Sequence, residues 1–181
     1  MYQAVGVIEL KSIAAGIEAT DAALKSAGVR LVSAHPVCPG KFEIMLTGSI
    51  ADVTAAEEHV KERFASTLVD VSLMGRIDPQ VITALYGTVA PERKGSLGII
   101  ETYSAASIVK AADIAVKTAK VAIYELRLSR GMGGKGIVLV TGDVGDVTAA
   151  VEAGAKHAQE QSMLNNYTVI PAPHEELWDN L

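Results

Sequence analysis

Gly6-Val7-Ile8-Glu9 and Gly98-Ile99-Ile100-Glu101 are one motif written twice in a single chain. Each is a β-branched run ending on a carboxylate, which predicts a strand. The correspondence continues outward in order. Ser104 repeats Ser12, Ala111 repeats Ala19, Asp113 repeats Asp21 and Lys117 repeats Lys25. Thr141-Gly142 then repeats Thr47-Gly48, and Asp146-Val147-Thr148-Ala149-Ala150 repeats Asp52-Val53-Thr54-Ala55-Ala56. Ordered identities at nearly constant spacing mark an internal duplication whose period is longer than that of solenoid repeats.

In the first copy the pattern predicts a strand over 5–10 and a helix over 13–27, N-capped by Ser12. Ile13, Ile17 and Leu24 fall on one side of that helix, and Gly28 suits its C-terminal end. A strand over 29–34 is followed by a turn and by a strand over 42–47, which together read as a hairpin. Asp52 is expected to cap a second helix with Val53, Ala56, Val60 and Phe64 on its inner face. A strand over 68–73 and a short tail over 79–85 complete the copy. The order β-α-β-β-α-β is ferredoxin-like. The expected fold is therefore α/β (α+β): a tandem duplication with domains at 1–85 and 97–181. The polar linker, 86–96, is short enough to keep the halves in one block.

The chain has 181 residues, 49% hydrophobic and 4% aromatic, so its apolar content is mostly small side chains. A formal net charge of −5 argues against nucleic-acid binding, which needs clustered Lys and Arg. No apolar run is long enough to span a bilayer, and MYQAVGVIEL lacks a basic start followed by an apolar stretch. The expectation is a cytosolic protein without membrane or nucleic-acid partners. A single cysteine excludes an internal disulfide.

The two copies diverge most in one loop. The first reads Val37-Cys38-Pro39-Gly40-Lys41 and the second Arg130-Gly131-Met132-Gly133-Gly134-Lys135. Pro39 and Gly40 place the lone thiol on a turn between two apolar runs. One thiolate per chain is a poor metal site, and a symmetry axis that gathers several chains would make it a better one. His35 lies close enough in sequence to be a second ligand, although a structural role is the commoner one for such a histidine. Zinc sites show paired Cys/His spacings, and the chain has none. The second loop is not a phosphate-binding loop of the Walker type, since Ser129 and Gly136 stand where Gly and Ser/Thr are required. It reads as a glycine turn that makes room beside the cysteine, with Arg130 and Lys135 as candidate sources of positive potential. Glu9 and Glu101 end equivalent strands and read as structural carboxylates. No hydrolytic constellation is present in the sequence, so no enzymatic activity is expected.

The repeated Gly-Ile-Ile-Glu and Ser/Ala/Asp/Lys signatures, together with Val169-Ile170-Pro171-Ala172-Pro173-His174-Glu175-Glu176-Leu177-Trp178, resemble the bacterial microcompartment shell proteins in their tandem-domain class. The Cys-Pro-Gly-Lys-Phe and Gly-x-Gly-Gly-Lys turns are most similar to the type found in propanediol-utilisation compartments. The resemblance implies a homotrimer that forms a pseudohexameric disc and tiles with other shell proteins. It implies that Pro39, Gly40 and Lys41, with Gly131, Met132, Gly133 and Gly134, line the central opening. It implies that Cys38 from three chains holds one [4Fe-4S] cluster per trimer, leaving the fourth iron ligand open. The role that follows is electron transfer or cluster exchange across the shell, with an encapsulated or cytosolic redox enzyme as a further partner. Lys25 and Lys117 are implied at tile edges. Ala172 stands where family members often carry an edge-packing arginine, so the edge contact differs here. A metal-free metabolite pore and a soluble trimeric redox or regulatory protein are the alternative readings.

Overall fold

A computed structural model describes residues 4–87 and 95–181. Most of the expected linker lies outside the described residues. The first half runs β1 (Ala4–Leu10), α1 (Ile13–Ser26), β2 (Arg30–Val37), β3 (Lys41–Gly48), α2 (Ile50–Arg63), β4 (Leu68–Met74) and α3 (Pro79–Leu85). The second runs β5 (Ser96–Thr102), α4 (Ala105–Thr118), β6 (Ala122–Leu128), β7 (Gly136–Gly142), α5 (Val144–Glu160), β8 (Leu164–Ile170) and α6 (Glu175–Trp178). The sheets have the orders β2-β3-β1-β4 and β6-β7-β5-β8, antiparallel throughout, as the ferredoxin-like order requires. Even the irregularities recur. Register slips between Glu9 and Leu10 on β1 and between Glu101 and Thr102 on β5, and again on β2 and β6.

Ser12 and Ser104 cap the first helix of each half, accepting from the backbone N–H of Ala15 and Ser107. The cap of α2 is Ser49, not Asp52. Asp52 sits in the first turn, donates its N–H to Ser49 Oγ at 3.1 Å and accepts the hydroxyl in return at 2.5 Å. Its negative charge there still opposes the helix dipole favourably. The expected inner face of α2 is correct: Val53, Ala56, Val60 and Phe64 are all buried.

Ile13, Ile17 and Leu24, by contrast, face solvent, with Ile17 59% exposed. The buried face of α1 is Gly16, Ala19, Thr20, Ala22 and Ala23. Gly16 allows the helix to lie against Phe42, whose ring would collide with any Cβ there. Small residues thus pack the helix on its own sheet, and the large apolar ones are left outside. In the second half the corresponding positions on α4 are covered: Ala105 and Val109 are fully buried and Val116 is partly buried.

The difference is the contact between halves. Helix α4 packs on β4 and β1, and α3 packs against β6. Val5, Val7, Met45, Met74, Ile77, Val81 and Ala84 of the first half share one hydrophobic cluster with Ile108, Val109, Ala112 and Ile123 of the second. The seam is therefore core, not a wetted domain boundary, as the short linker predicts. Trp178 on α6 covers Leu97 and Leu139 on the second sheet and stacks at a tilt on Tyr124, ring centroids 5.4 Å apart.

Two features of this packing set stability. A Cβ at Gly154 on α5 would lie 2.8 Å from the Ala111 carbonyl oxygen and 2.7 Å from Ile100 Cδ1, so the α4–α5 approach depends on glycine. Glu57 on α2 is 4% exposed, and its Oε1 has no hydrogen-bond partner. Burial raises its pKa to about 7, against the lowering pull of Lys61 and Lys110.

Gly154→Ala should lower stability by about 1–3 kcal/mol, read as a lower denaturation midpoint at fixed protein concentration. Gly145→Ala on the same helix, where a Cβ meets nothing within 4 Å, should hold or raise it. For Glu57, native protein keeps a proton between pH 4.5 and about 7 that the unfolded chain has released. Its contribution is therefore complete below pH 4.5 and lost as pH rises through about 7. Glu57→Gln should gain on the parent chain by on the order of 2 kcal/mol above that window and show no gain below it.

Candidate functional site

Cys38 lies on the turn between β2 and β3 and is exposed. Gly40 takes a positive φ of 94°, a conformation that favours glycine, and its N–H donates to the Val37 carbonyl at 2.9 Å. The turn is therefore closed by its own backbone and presents the thiol outward. Valine 37 anchors it from below, buried in the strand end.

The second-half loop lies against this turn. A Cβ at Gly134 would come within 2.8 Å of the Cys38 carbonyl oxygen, 2.8 Å of Pro39 Cδ and 2.6 Å of Lys41 Cε. Glycine at that point is a packing requirement, made stricter by a φ of 84°. Gly131 and Gly133 also take positive φ but meet nothing, so they serve the turn rather than the contact. Cys38, Pro39, Lys41 and Gly134 are thus brought together, with Met132 and its glycines alongside.

Lys41 does not point into solvent. Its ammonium lies 2.7 Å from Glu9 Oε1 and donates to the carbonyls of Gly134 at 2.9 Å and Tyr103 at 3.2 Å. Glu9 is fully buried and is the hub of the seam. Its Oε2 accepts the N–H of Ala105, the first residue of α4, at 3.0 Å. Its Oε1 also receives the Ser129 hydroxyl at 3.5 Å. Burial raises the Glu9 pKa, and Lys41 and the Ala105 N–H oppose that rise. Asp70 on β4 adds a second carboxylate at the same helix start, accepting the hydroxyls of Ser104 and Ser107. Two acids from the first half therefore hold the positive end of a helix from the second. Neither role was legible without knowing which face each strand buries.

The two candidate sources of positive potential differ in their surroundings. Lys135 lies 3.1 Å from Glu101, and Arg130 lines a crevice between the halves. His35 stands on β2 opposite Glu43, its Nε2 3.5 Å from Glu43 Oε1. Burial, reinforced by Arg130, lowers the His35 pKa. Among the described residues no group of three or more His, Cys, Asp or Glu is placed to hold a metal within one chain.

The repeated helix-end lysines form the expected pairs with the acids one turn earlier, Asp21–Lys25 and Asp113–Lys117, both at 2.6 Å. Their surroundings differ. Lys117 also donates to the Arg76 carbonyl, and Asp113 accepts the N–H of Asp78 at 2.8 Å. Lys25 is exposed, and its ammonium rests on Asp21.

Comparison with known proteins agrees with this architecture. The BMC domain model matches residues 4–77 and 96–173. The chain is 40% identical to the bacterial microcompartment shell protein PduT of Citrobacter freundii, over 98% of this chain and 97% of that protein. It is 31% identical to the carboxysome assembly protein CcmO of a Synechococcus strain, over 98% of this chain and 68% of CcmO. The crystal structure of a microcompartments protein from Desulfitobacterium hafniense DCB superposes with a TM-score of 0.80 at 42% identity, covering 98% of both chains. These relatives are shell and assembly proteins, in keeping with the absence of any expected enzymatic activity. No helix among the described residues is long and apolar enough to cross a membrane. Two BMC domains in one chain, each with its own four-stranded sheet, place this protein in the BMC domain family as a tandem-domain shell protein of a bacterial microcompartment.

Proposed function

We propose that three copies of this chain close into a pseudohexameric shell tile whose Cys38 thiols bind an iron–sulfur cluster. The observation that carries the ring is the half-used interface. Inside the chain, α4 sits on β4 with its start held by Glu9 and Asp70 and its end tied to Arg76 and Asp78. Helix α1 offers the same groups in the same order: Ser12, Ile13, Ile17, Asp21 and Lys25. The receiving surface is repeated by Glu101 and by β8, where Asn166, Tyr167 and Thr168 are exposed. A head-to-tail contact of this kind, continued from chain to chain, closes when the rotation closes. Apolar side chains on α1 would then be covered as their counterparts on α4 are.

For the cluster, the support is the exposed thiol on a closed turn and the glycine loop packed beside it. One chain supplies one thiolate, so the ligand set exists only at the ring axis. Iron–sulfur clusters take Cys thiolates, and three leave one iron open to another ligand. Such a cluster supplies one-electron transfer. Gly40 offers no N–H to the sulfurs, since that group is spent on Val37. Other shell proteins are the expected neighbours of the tile, and a redox enzyme on either side of the shell is the expected electron partner.

Ile17→Arg leaves the single chain's packing untouched and should convert the trimer to monomers in sedimentation velocity, with the thermal unfolding of the monomer retained. Persistence of the trimer would refute the interface. Separately, protein purified without oxygen should be brown, with iron and sulfide in ratio to trimer rather than to chain. Cys38→Ser should abolish both while the trimer persists. Iron-free wild-type protein after anaerobic reconstitution would leave a tile with a metal-free opening.

A further inference from the structure

Lys41 and Lys135 each follow the last glycine of their loop, Gly40 and Gly134, which take φ of 94° and 84°. Each lysine is paired with a carboxylate on the central strand of its own sheet, Lys41 with Glu9 at 2.7 Å and Lys135 with Glu101 at 3.1 Å. The two pairs are one arrangement in two copies, and they differ in cover. Lys41 and Glu9 are 13% and 0% exposed, whereas Lys135 and Glu101 are 39% and 29% exposed. The second half of the chain is what covers the first pair. Lys41 directs its further donors to the carbonyls of Gly134 and Tyr103, and Glu9 accepts the N–H of Ala105. Beside the second pair is an opening of about 170 Å³, lined by Ile99, Glu101, Ile137, Asn166, Tyr167 and Thr168.

The groups that would complete the second pair are present in the first half. By the repeat, Gly40 corresponds to Gly134, Lys11 to Tyr103 and Ile13 to Ala105. The backbone around them repeats as well. The Lys11 N–H donates to the Thr67 carbonyl at 2.8 Å, and the Tyr103 N–H donates to the Met163 carbonyl at 2.9 Å. Among the described residues the Lys135 ammonium bonds Glu101, and not Gly40 of its own chain. We infer that Lys135 donates across the joint to the carbonyl of Gly40 of the partner subunit, so that each Cys38 turn is seated by the glycine loop of its own chain and by a lysine of a second copy. The inference rests on the ring proposed above. It adds a feature that the ring does not require: a residue of one chain that positions the thiol of another. A second copy is the occupant because the open surface repeats the one on which the chain already docks itself. Within the turn the Gly40 N–H already donates to Val37, so a bond to the carbonyl of the same residue fixes the turn on both sides.

Hydrogen exchange on the full-length trimer reads this contact. The Gly40 N–H closes the turn on Val37 at 2.9 Å, so its exchange reports opening of the turn. Lys135→Met should speed exchange over residues 38–41 by about tenfold, the scale of one hydrogen bond to a charged group. The comparison is made at a concentration where sedimentation shows the variant to be trimeric. In Ile17→Arg monomers the same substitution should leave the exchange of this turn unchanged, since no second copy is there to receive the ammonium. Equal exchange in the parent and Lys135→Met trimers overturns the inference and leaves the ring standing. So does an equal acceleration in the monomers, which would put the effect inside one chain. A wild-type chain that sediments as a monomer removes the ring itself, and the inference with it.

Discussion

One buried carboxylate holds the molecule's two halves in register. Glu9 sits at the end of a central strand, where a charge is costly to bury, and that cost is offset only by a complete set of partners. Lys41 comes from the neighbouring strand, the Ala105 N–H from a helix start and the Ser129 hydroxyl from the far loop. Each partner belongs to a different segment, so satisfying Glu9 fixes all of them together. The lysine then reaches on to Gly134 and Tyr103, which seats the glycine loop on the cysteine turn. The exposed thiol owes its position to a salt bridge it does not touch.

Duplication explains why this arrangement is met once in full and once in outline. Helix α4 has its dock inside the chain, and α1 has none. Of the identities shared by the two helices, Ser104, Asp113 and Lys117 are the groups that α4 uses to grip the other half. The same contact bears on Ala172. Lys117 binds the carbonyl of Arg76, not its guanidinium. Ala172 occupies the equivalent place in the second half and offers the same carbonyl. In the proposed ring, the missing arginine side chain would leave that carbonyl available to a lysine of the next chain.

The repeat, the strand order and most helix starts were readable from sequence because they rest on local chemistry: β-branched runs, serine caps and breaking glycines. Helix orientation was less so. Ile13, Ile17 and Leu24 form a regular stripe, and periodicity alone cannot tell a core face from a contact face. Small residues opposite them, Gly16, Ala19 and Ala23, were the better signal, since they are the buried face and Gly16 allows the close approach to Phe42. Ser49 was passed over for Asp52 because either residue type can cap, and the choice between positions three apart lies in backbone geometry. At the site, the cysteine turn and its glycine neighbour were visible as a divergence between copies. The inward turn of Lys41 was not, because it depends on Glu9 being buried beneath it.

Loop divergence between the copies has a steric logic of its own. Both loops end in Gly-Lys, so the glycine that at Gly134 touches the Cys38 carbonyl, Pro39 and Lys41 has its counterpart in Gly40, and the divergence lies in the residues before it. No Cβ fits at Gly134 without moving the first turn. With Lys41 drawn inward by Glu9, the one residue of the adjacent loop that meets it, Gly134, has no side chain. Fusion makes that asymmetry available, because a chain with two unequal copies can keep the thiol in one and clear space with the other. In the proposed ring, one cysteine per two domains would give three thiols rather than six. Within one chain, the loop without a cysteine is the one that packs on the turn that has it.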